Sequence, residues 1–143
     1  MKLGARGEAL IKTFETLQLK AYKHFPTEPW TAGWGHTKGV TDQTVCTPQE
    51  AEQWFLQDTS EAVAAINSNV RVPLTQNQFD ALVSFAFNVG IANEAHSTLL
   101  MQLNAGHPDL AANEFLNWTH VGRKVAAGLE RRRAAERSLF LEV

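Results

Sequence analysis

The chain has 143 residues, a formal net charge of −2 and a hydrophobic fraction of 44%. This length can bury one core, or two small lobes that share a helix, and the ordinary composition argues against a disordered or fibrous chain. The balanced charge creates no overall field that would attract nucleic acid. The longest apolar stretch, residues 81–89, is interrupted by Ser84 and Asn88, so we expect no stable insertion into a membrane.

The first half of the chain predicts a helix followed by strands and turns. Leu10, Phe14 and Leu17 share one helical face, which indicates a short helix over about residues 6–14. Residues 19–46 are rich in glycine, proline, threonine, valine and aromatics, a composition typical of short strands and turns.

A long helix is predicted to begin at Thr47. Thr47 can cap the helix, Pro48 suits its first position and Glu50 can complete a capping box. Apolar residues continue at helical spacing to Ile66, which predicts an end near residues 67–69.

The second half predicts further helices. Thr75 and Gln78 form another capping box, and Gly90 is placed to end the helix that they start. Additional helices are expected over residues 97–104, 108–118 and 129–139.

One small β-containing segment followed by a run of helices indicates an α+β fold. We expect a single domain over residues 1–143. Its parts would be a small lobe of about 15–46, a connecting helix of about 47–68, and a larger helical lobe of about 70–143 that includes the first helix. A cleft between such lobes suits an extended substrate.

Two further features lie outside this outline. Cys46 is the sole cysteine, so no intrachain disulfide can form, and we expect a small buried or half-buried thiol. Basic residues outnumber acidic ones near the C-terminus, and we interpret this cluster as a solvated helix face with charge pairs rather than as a ligand-binding patch. Its members are Arg123, Lys124, Arg131, Arg132, Arg133 and Arg137.

Glu15 is the candidate for acid catalysis. It follows the apolar face of the first helix, directly after Phe14. Apolar surroundings favour the protonated form of a carboxyl group, which a general acid needs in order to donate a proton near neutral pH.

The residues around Glu15 also carry a family resemblance. Residues 14–22, FETLQLKAY, and 30–37, WTAGWGHT, closely resemble the active-site segment of the phage-type lysozymes (endolysins), glycoside hydrolase family 24. The resemblance continues in residues 73–82, 85–90 and 128–137, and so covers nearly the whole chain in order.

This resemblance implies a lysozyme-like fold and hydrolysis of the β-1,4 bond between N-acetylmuramic acid and N-acetylglucosamine in peptidoglycan, causing host lysis. It also implies a monomer without cofactor or metal. The N-terminus lacks the apolar run of a signal peptide, so we expect the protein to stay in the host cytoplasm until a holin releases it to the cell wall.

Carried over residue by residue, the resemblance makes Glu15 the proton donor, and Thr31 would hold a water on the far face of the sugar ring. Gly33 and Trp34 are candidate substrate-binding residues. Gly33 and Gly35, on either side of Trp34, fit a strand that substrate or another backbone approaches closely, and Trp34 can stack on sugars. A tight turn or bulge is the alternative for the two glycines, and ordinary core packing is the alternative for Trp34.

The sequence departs from the family at His24, which occupies the place of the catalytic aspartate, in a loop that is one residue longer than usual. Thr16 also stands where the family commonly has glycine. Neutral His24 could take a proton from water, and Glu28 is a second candidate base. A lytic transglycosylase, which needs no such base, and an inactive wall-binding module are the alternative functions.

The histidines also raise a hypothesis from another enzyme class. His24, His36 and Cys46 could bind zinc in a peptidase or amidase, but they lack the short spacing of known zinc motifs. The family resemblance implies instead that His36 pairs with Asp58 on the long helix.

Overall fold

The structure is a computed structural model that describes residues 1–142. Seven α-helices, two short antiparallel hairpins and a 3₁₀ turn (Phe115–Asn117) follow one another along these residues. The helices are α1 (Ala5–Glu15), α2 (Pro48–Asn69), α3 (Gln76–Val89), α4 (Ile91–Ala95), α5 (Thr98–Asn104), α6 (Pro108–Glu114) and α7 (Ala127–Leu141). The strands are β1 (Gln18–Tyr22), β2 (Thr31–Gly33), β3 (His120–Val121) and β4 (Lys124–Val125).

The long helix α2 begins as the sequence predicts. The Thr47 hydroxyl accepts from the Glu50 backbone N–H, and the Glu50 carboxylate accepts from the Thr47 backbone N–H, which completes the capping box. Ala51, Phe55, Ala62 and Ile66 are buried along one face of the helix. The amphipathic spacing of these residues therefore fixes which side of α2 packs against the protein.

The main core surrounds α3. Residues 79–86 of this helix are buried without interruption, and α1, α2 and α7 pack against it. Phe85 contacts Phe115 edge to face, with ring centroids 5.3 Å apart. A helix that is buried on all sides is the centre of a helical lobe.

The small lobe has its own minor core. Strands β1 and β2 pair antiparallel with an irregularity in register, and Lys20 forms an isolated bridge with Val45. Ala32, Cys46 and Ala51 pack together beneath the hairpin, so this second core joins the strands to α2. Cys46 is 4% exposed, which confirms the prediction of a buried thiol, and burial raises its pKa.

The α+β prediction is confirmed, and two details of the helical lobe differ from expectation. The helix predicted over residues 108–118 ends as α6 at Glu114 and continues as the 3₁₀ turn. Helix α4 and the β3–β4 hairpin were not predicted, because elements of a few residues leave little periodicity. Within residues 1–142, no helix combines the length and the hydrophobicity needed to cross a membrane.

Helix α4 buries a carboxyl group that should make stability depend on pH. Glu94 is 0% exposed, and Asn69 Nδ2 donates to its Oε2 at 2.9 Å. Burial raises the pKa of Glu94, and Asn69 opposes this effect. A carboxyl whose pKa is higher in the folded state contributes fully below its unfolded pKa of about 4.3, and its contribution is lost as pH rises toward the folded value.

We therefore predict that part of the fall in the free energy of unfolding above pH ~4.3 comes from Glu94. Urea unfolding at a series of pH values should show this part in the wild type and not in Glu94→Gln. The same substitution at exposed Glu130 should preserve it. A constant difference between wild type and Glu94→Gln across this range would contradict the prediction.

Candidate active site

A cleft of about 1010 Å³ lies between the two lobes. The end of α1 and the β1–β2 loop form one side, and the segment around residues 121–132 forms the other. A smaller hollow of about 210 Å³ shares Gly35, Thr37, Phe87 and Gly90 with the cleft and extends it along α2. The length of this groove suits a chain-like ligand.

Glu15, the last residue of α1, presents its carboxyl group to this cleft. Its side chain is 14% exposed, and Arg132 Nη1 donates to Oε1 at 2.5 Å. The Arg132 guanidinium lies over the Phe14 ring, 6.0 Å from its centroid. The surroundings of Glu15 are therefore not purely apolar as expected, because a buried cation from α7 holds the carboxylate in place.

The chain turns sharply after Glu15. Thr16 has a φ of 49° and is the one residue other than glycine with a positive φ among residues 1–142. This conformation is costly for a side chain with a branched Cβ and free for glycine. Glycine, which the family resemblance implies at the position of Thr16, would adopt this conformation without strain.

Gly35 gives Glu15 the space that it occupies. A Cβ on Gly35 would lie 2.1 Å from Glu15 Oε2, and the φ of Gly35 is 81°. Gly33, in contrast, packs against α2, where a Cβ would lie 3.2 Å from Ala51 and Trp54. The close approach predicted for the two glycines is present at both, but only that of Gly35 faces the carboxyl group.

Trp34 lies on the inner side of this turn. It packs against both hydrophobic cores, and Lys12 Nζ lies 5.1 Å from its ring centroid. Neither Gly33 nor Trp34 is among the residues that line the cleft. The structure therefore does not bring the two predicted substrate-binding residues to the groove.

The other predicted site residues do line the cleft beside Glu15: Thr31, His24 and Glu28. Thr31 Oγ1 donates to the Pro29 carbonyl at 3.2 Å. The His24 ring meets the Tyr22 ring edge to face, with centroids 4.9 Å apart. Burial, followed by the charges of Glu15 and Glu28, raises the pKa of Tyr22, which therefore stays a neutral hydrogen-bonding phenol in the groove.

The interpretation of the C-terminal basic cluster as a solvated face is wrong for Arg132 and Arg133. Arg132 is 3% exposed and Arg133 is 0% exposed, and both contact Glu136, which is also 0% exposed. Arg133 Nη2 also donates to Asn88 Oδ1 on α3 at 2.5 Å. The three- and four-residue spacing of these charges places them on one helix face with Leu139 and Phe140. Exposed charge pairs have the same spacing, so the sequence alone does not show that this face is buried.

His36 joins the small lobe to α2 as the family resemblance implies. Its Nδ1 lies 2.8 Å from Asp58 Oδ2, and its ring stacks on Trp54 with centroids 4.5 Å apart. His36 is thereby occupied by a structural contact. Residues 1–142 contain no group of three histidine, cysteine or acidic side chains placed to hold a metal ion.

The sequence model of the phage lysozyme family matches residues 12–136, a span that includes Glu15, Thr31 and the buried Arg132–Glu136 pair. The chain belongs to the phage lysozyme family. The endolysin of Bacillus phage PZA is 48% identical over 142 residues, which are 98% of this chain and 55% of that protein. The chain thus spans about half the length of this relative.

Other members match along their whole length. The endolysin of Salmonella phage P22 is 40% identical over 146 residues, covering 99% of each chain. Among solved structures, the muramidase domain of SpmX from Asticaccaulis excentricus superimposes with a TM-score of 0.88 at 41% identity, and the match covers 99% of both chains. This member of the phage lysozyme family therefore has a lysozyme-like fold.

Proposed function

We propose that this protein is an endolysin that hydrolyses the β-1,4 bond between N-acetylmuramic acid and N-acetylglucosamine in peptidoglycan. The observation that carries the proposal is the Glu15 carboxyl group, held by Arg132 within a long cleft between the lobes. In its protonated form Glu15 would donate to the glycosidic oxygen and so make the leaving sugar a neutral alcohol.

The names of the relatives support the same activity. Bacillus phage PZA and Salmonella phage P22 each encode a relative named endolysin, and the SpmX domain is named a muramidase. None of these names favours a lytic transglycosylase or an inactive wall-binding module.

His24 and Thr31 would supply the second half of the reaction. We propose that Thr31 positions a water molecule and that neutral His24 removes its proton as the water attacks the sugar. Both residues line the same cleft as Glu15, and the Tyr22 ring limits the orientation of the His24 ring. An imidazole can perform the base role that most glycosidases give to a second carboxylate.

Product analysis tests the proposed reaction directly. Purified protein is incubated with peptidoglycan from an outer-membrane-stripped cell, and the released muropeptides are measured by mass spectrometry. We expect new reducing N-acetylmuramic acid ends, 18 Da heavier than the anhydro ends that a transglycosylase would leave, as the addition of one water requires. Anhydro products would show that the protein is a lytic transglycosylase rather than a hydrolase. The absence of any product would indicate a module that only binds the cell wall.

We predict that His24→Ala loses most hydrolysis while His24→Asp keeps it, because aspartate restores a base at the same position. Initial rates of muropeptide release from the two variants measure both effects. Glu28→Gln is the matched variant in the same loop, and a loss there with unchanged His24→Ala would transfer the base role to Glu28.

We also propose that the protein acts as a monomer and reaches the cell wall after a holin opens the path from the host cytoplasm. Relatives from Enterobacteria phages PA-2 and P21 carry the name SAR-endolysin, at 33% identity over 113 residues. Lysis of an expressing host only when a holin is co-expressed would support this route.

A further inference from the structure

Four charged side chains run from the cleft into the core: Glu15, Arg132, Glu136 and Arg133. Arg132 contacts Glu15 through Nη1 at 2.5 Å and Glu136 Oε2 through Nε at 3.2 Å. Arg133 Nε lies 3.0 Å from Glu136 Oε1. The charges alternate in sign along this row, and the three inner side chains are buried: Arg132 is 3% exposed, and Glu136 and Arg133 are 0% exposed.

A general acid in contact with a buried cation faces an electrostatic problem. The Arg132 guanidinium favours the carboxylate form of Glu15, which cannot donate a proton. When Glu15 is protonated, it no longer neutralises Arg132, and a buried cation without a counter-charge is costly. Another anion must therefore balance Arg132 if Glu15 is to hold a proton in its resting state.

Glu136 is the anion in the right place. We propose that Glu136 is a positioning residue whose buried carboxylate balances Arg132, so that Arg132 can hold Glu15 in both its protonated and its ionised form. This inference rests on the proposed role of Glu15 as the acid in hydrolysis. Glu136 does not touch the cleft and acts only through Arg132.

The contacts around Glu136 support an ionised carboxylate. The Ser84 hydroxyl donates to Oε2 at 2.5 Å, and Arg132 Nη2 donates to the Ser84 carbonyl at 3.1 Å, so α3 fixes both partners. The pKa of Glu136 is raised overall, with burial as the largest cause, while Arg133, Arg132 and Ser84 act in the opposite direction. The charge-balance role therefore requires that these three contacts keep Glu136 ionised against the effect of burial.

Arg133 keeps its charge at neutral pH. Burial lowers its pKa to about 10, which leaves it protonated, and it lies over the Phe85 ring at 5.3 Å from the centroid. Arg133 therefore adds a second cation behind Arg132, and Glu136 is the carboxylate that separates the two.

Other titratable groups on the neighbouring elements are engaged elsewhere or lie across the cleft. On α3, Asp80 accepts from the backbone N–H groups of Gly4 and Gly7. On α1, Lys12 pairs with Glu8 and Glu52. Three other charged side chains have partners of their own: Glu114 contacts Asn117, Arg6 pairs with Glu142, and Arg137 donates to Asn113. Glu130 and Arg131, at the start of α7, are exposed. The last three groups, Tyr22, His24 and Glu28, lie on the far side of the cleft.

Glu136→Gln tests the charge balance with little change in shape. The amide oxygen can still accept from Ser84 and Arg132, but the negative charge is lost. We expect the alkaline limb of the pH–rate profile, which requires protonated Glu15, to move to lower pH by about one unit, because Arg132 without its second anion favours ionised Glu15 more strongly. Carbon-13 NMR of the Glu15 carboxyl should show the same movement of its titration midpoint.

Companion variants separate charge from structure. Arg133→Gln should move the limb to higher pH, and the double variant should return it toward the wild-type position. Glu94→Gln is the matched control, because Glu94 is equally buried but lies away from the cleft. The alkaline limb of the pH–rate profile should not move in this variant. The proposal would be overturned if the alkaline limb moved equally in Glu94→Gln and Glu136→Gln. It would also be overturned if the limb stayed in place in both Glu136→Gln and Arg133→Gln.

The wild-type protein supplies a test that does not depend on any variant folding. Glu136 must remain ionised while Glu15 titrates, and the carbon-13 shifts of the two carboxyl groups report this directly. Protonation of Glu136 before or together with Glu15 would overturn the charge-balance role. Absence of peptidoglycan cleavage would refute the proposed function alone, because the NMR titrations would still measure the coupling.

Discussion

Replacing Glu15 with glutamine is expected to leave a folded protein that no longer cleaves peptidoglycan. Glutamine keeps the size of the side chain, and its amide oxygen can still accept the hydrogen bond from Arg132. The amide has no acidic proton to give to the glycosidic oxygen, and positioned proton transfer contributes roughly 10²–10⁴-fold to such rates. Turbidity loss of outer-membrane-stripped cells and muropeptide release should both fall by this factor or more.

Glu114→Gln is the control for this substitution. Glu114 lies on α6 away from the cleft, and its contact with Asn117 Nδ2 is one that glutamine can keep. We expect wild-type rates from this variant and a matching circular dichroism spectrum from both. A Glu15→Gln protein within a few-fold of the wild-type rate would remove Glu15 from the mechanism.

The parts of the fold that the sequence predicts are those with local and redundant signals. Helix α2 combines a capping box at Thr47, proline at its first position and apolar residues at helical spacing up to Ile66. Each signal alone is weak, but all of them define the same helix. Helix α4 has only five residues, and the β3–β4 hairpin pairs two residues on each side, so neither can produce a pattern of useful length.

The candidate site divides in a similar way. Glu15, His24 and Thr31 lie in one stretch of the sequence, and the structure places all three along one cleft. Arg132 is 117 residues from Glu15 in sequence, and no local rule connects them. The charged run around Arg132 resembles a solvated helix face until its neighbours on α3 are known, because burial of charge depends on tertiary partners such as Ser84 and Asn88.

The two glycines of the motif illustrate a further limit. The sequence predicts close approach at this turn but not what approaches. Both Gly33 and Gly35 have positive φ, at 68° and 81°. Only the folded chain shows that the first makes room for α2 and the second for the catalytic candidate.

Gly35→Ala should therefore abolish most activity by displacing the Glu15 carboxyl group. An added methyl group would lie 2.1 Å from Glu15 Oε2 and 2.7 Å from its carboxyl carbon, so the Glu15 side chain or the turn must move. Displacement of a reacting group by about 1 Å can cost 10²-fold in rate, and we expect a loss of at least that size. The positive φ should also lower the free energy of unfolding by about 1–3 kcal/mol.

Gly39→Ala separates these two effects. Gly39 has a similar φ of 74°, and no atom lies within 4 Å of the position that its Cβ would take. The backbone cost should therefore be comparable, whereas Glu15 stays in place. We expect both variants to lose stability in urea unfolding and only Gly35→Ala to lose peptidoglycan cleavage when both are assayed well below their unfolding transitions. Equal activity in the two variants would mean that Glu15 tolerates displacement, and the contact with Gly35 would then be structural rather than catalytic.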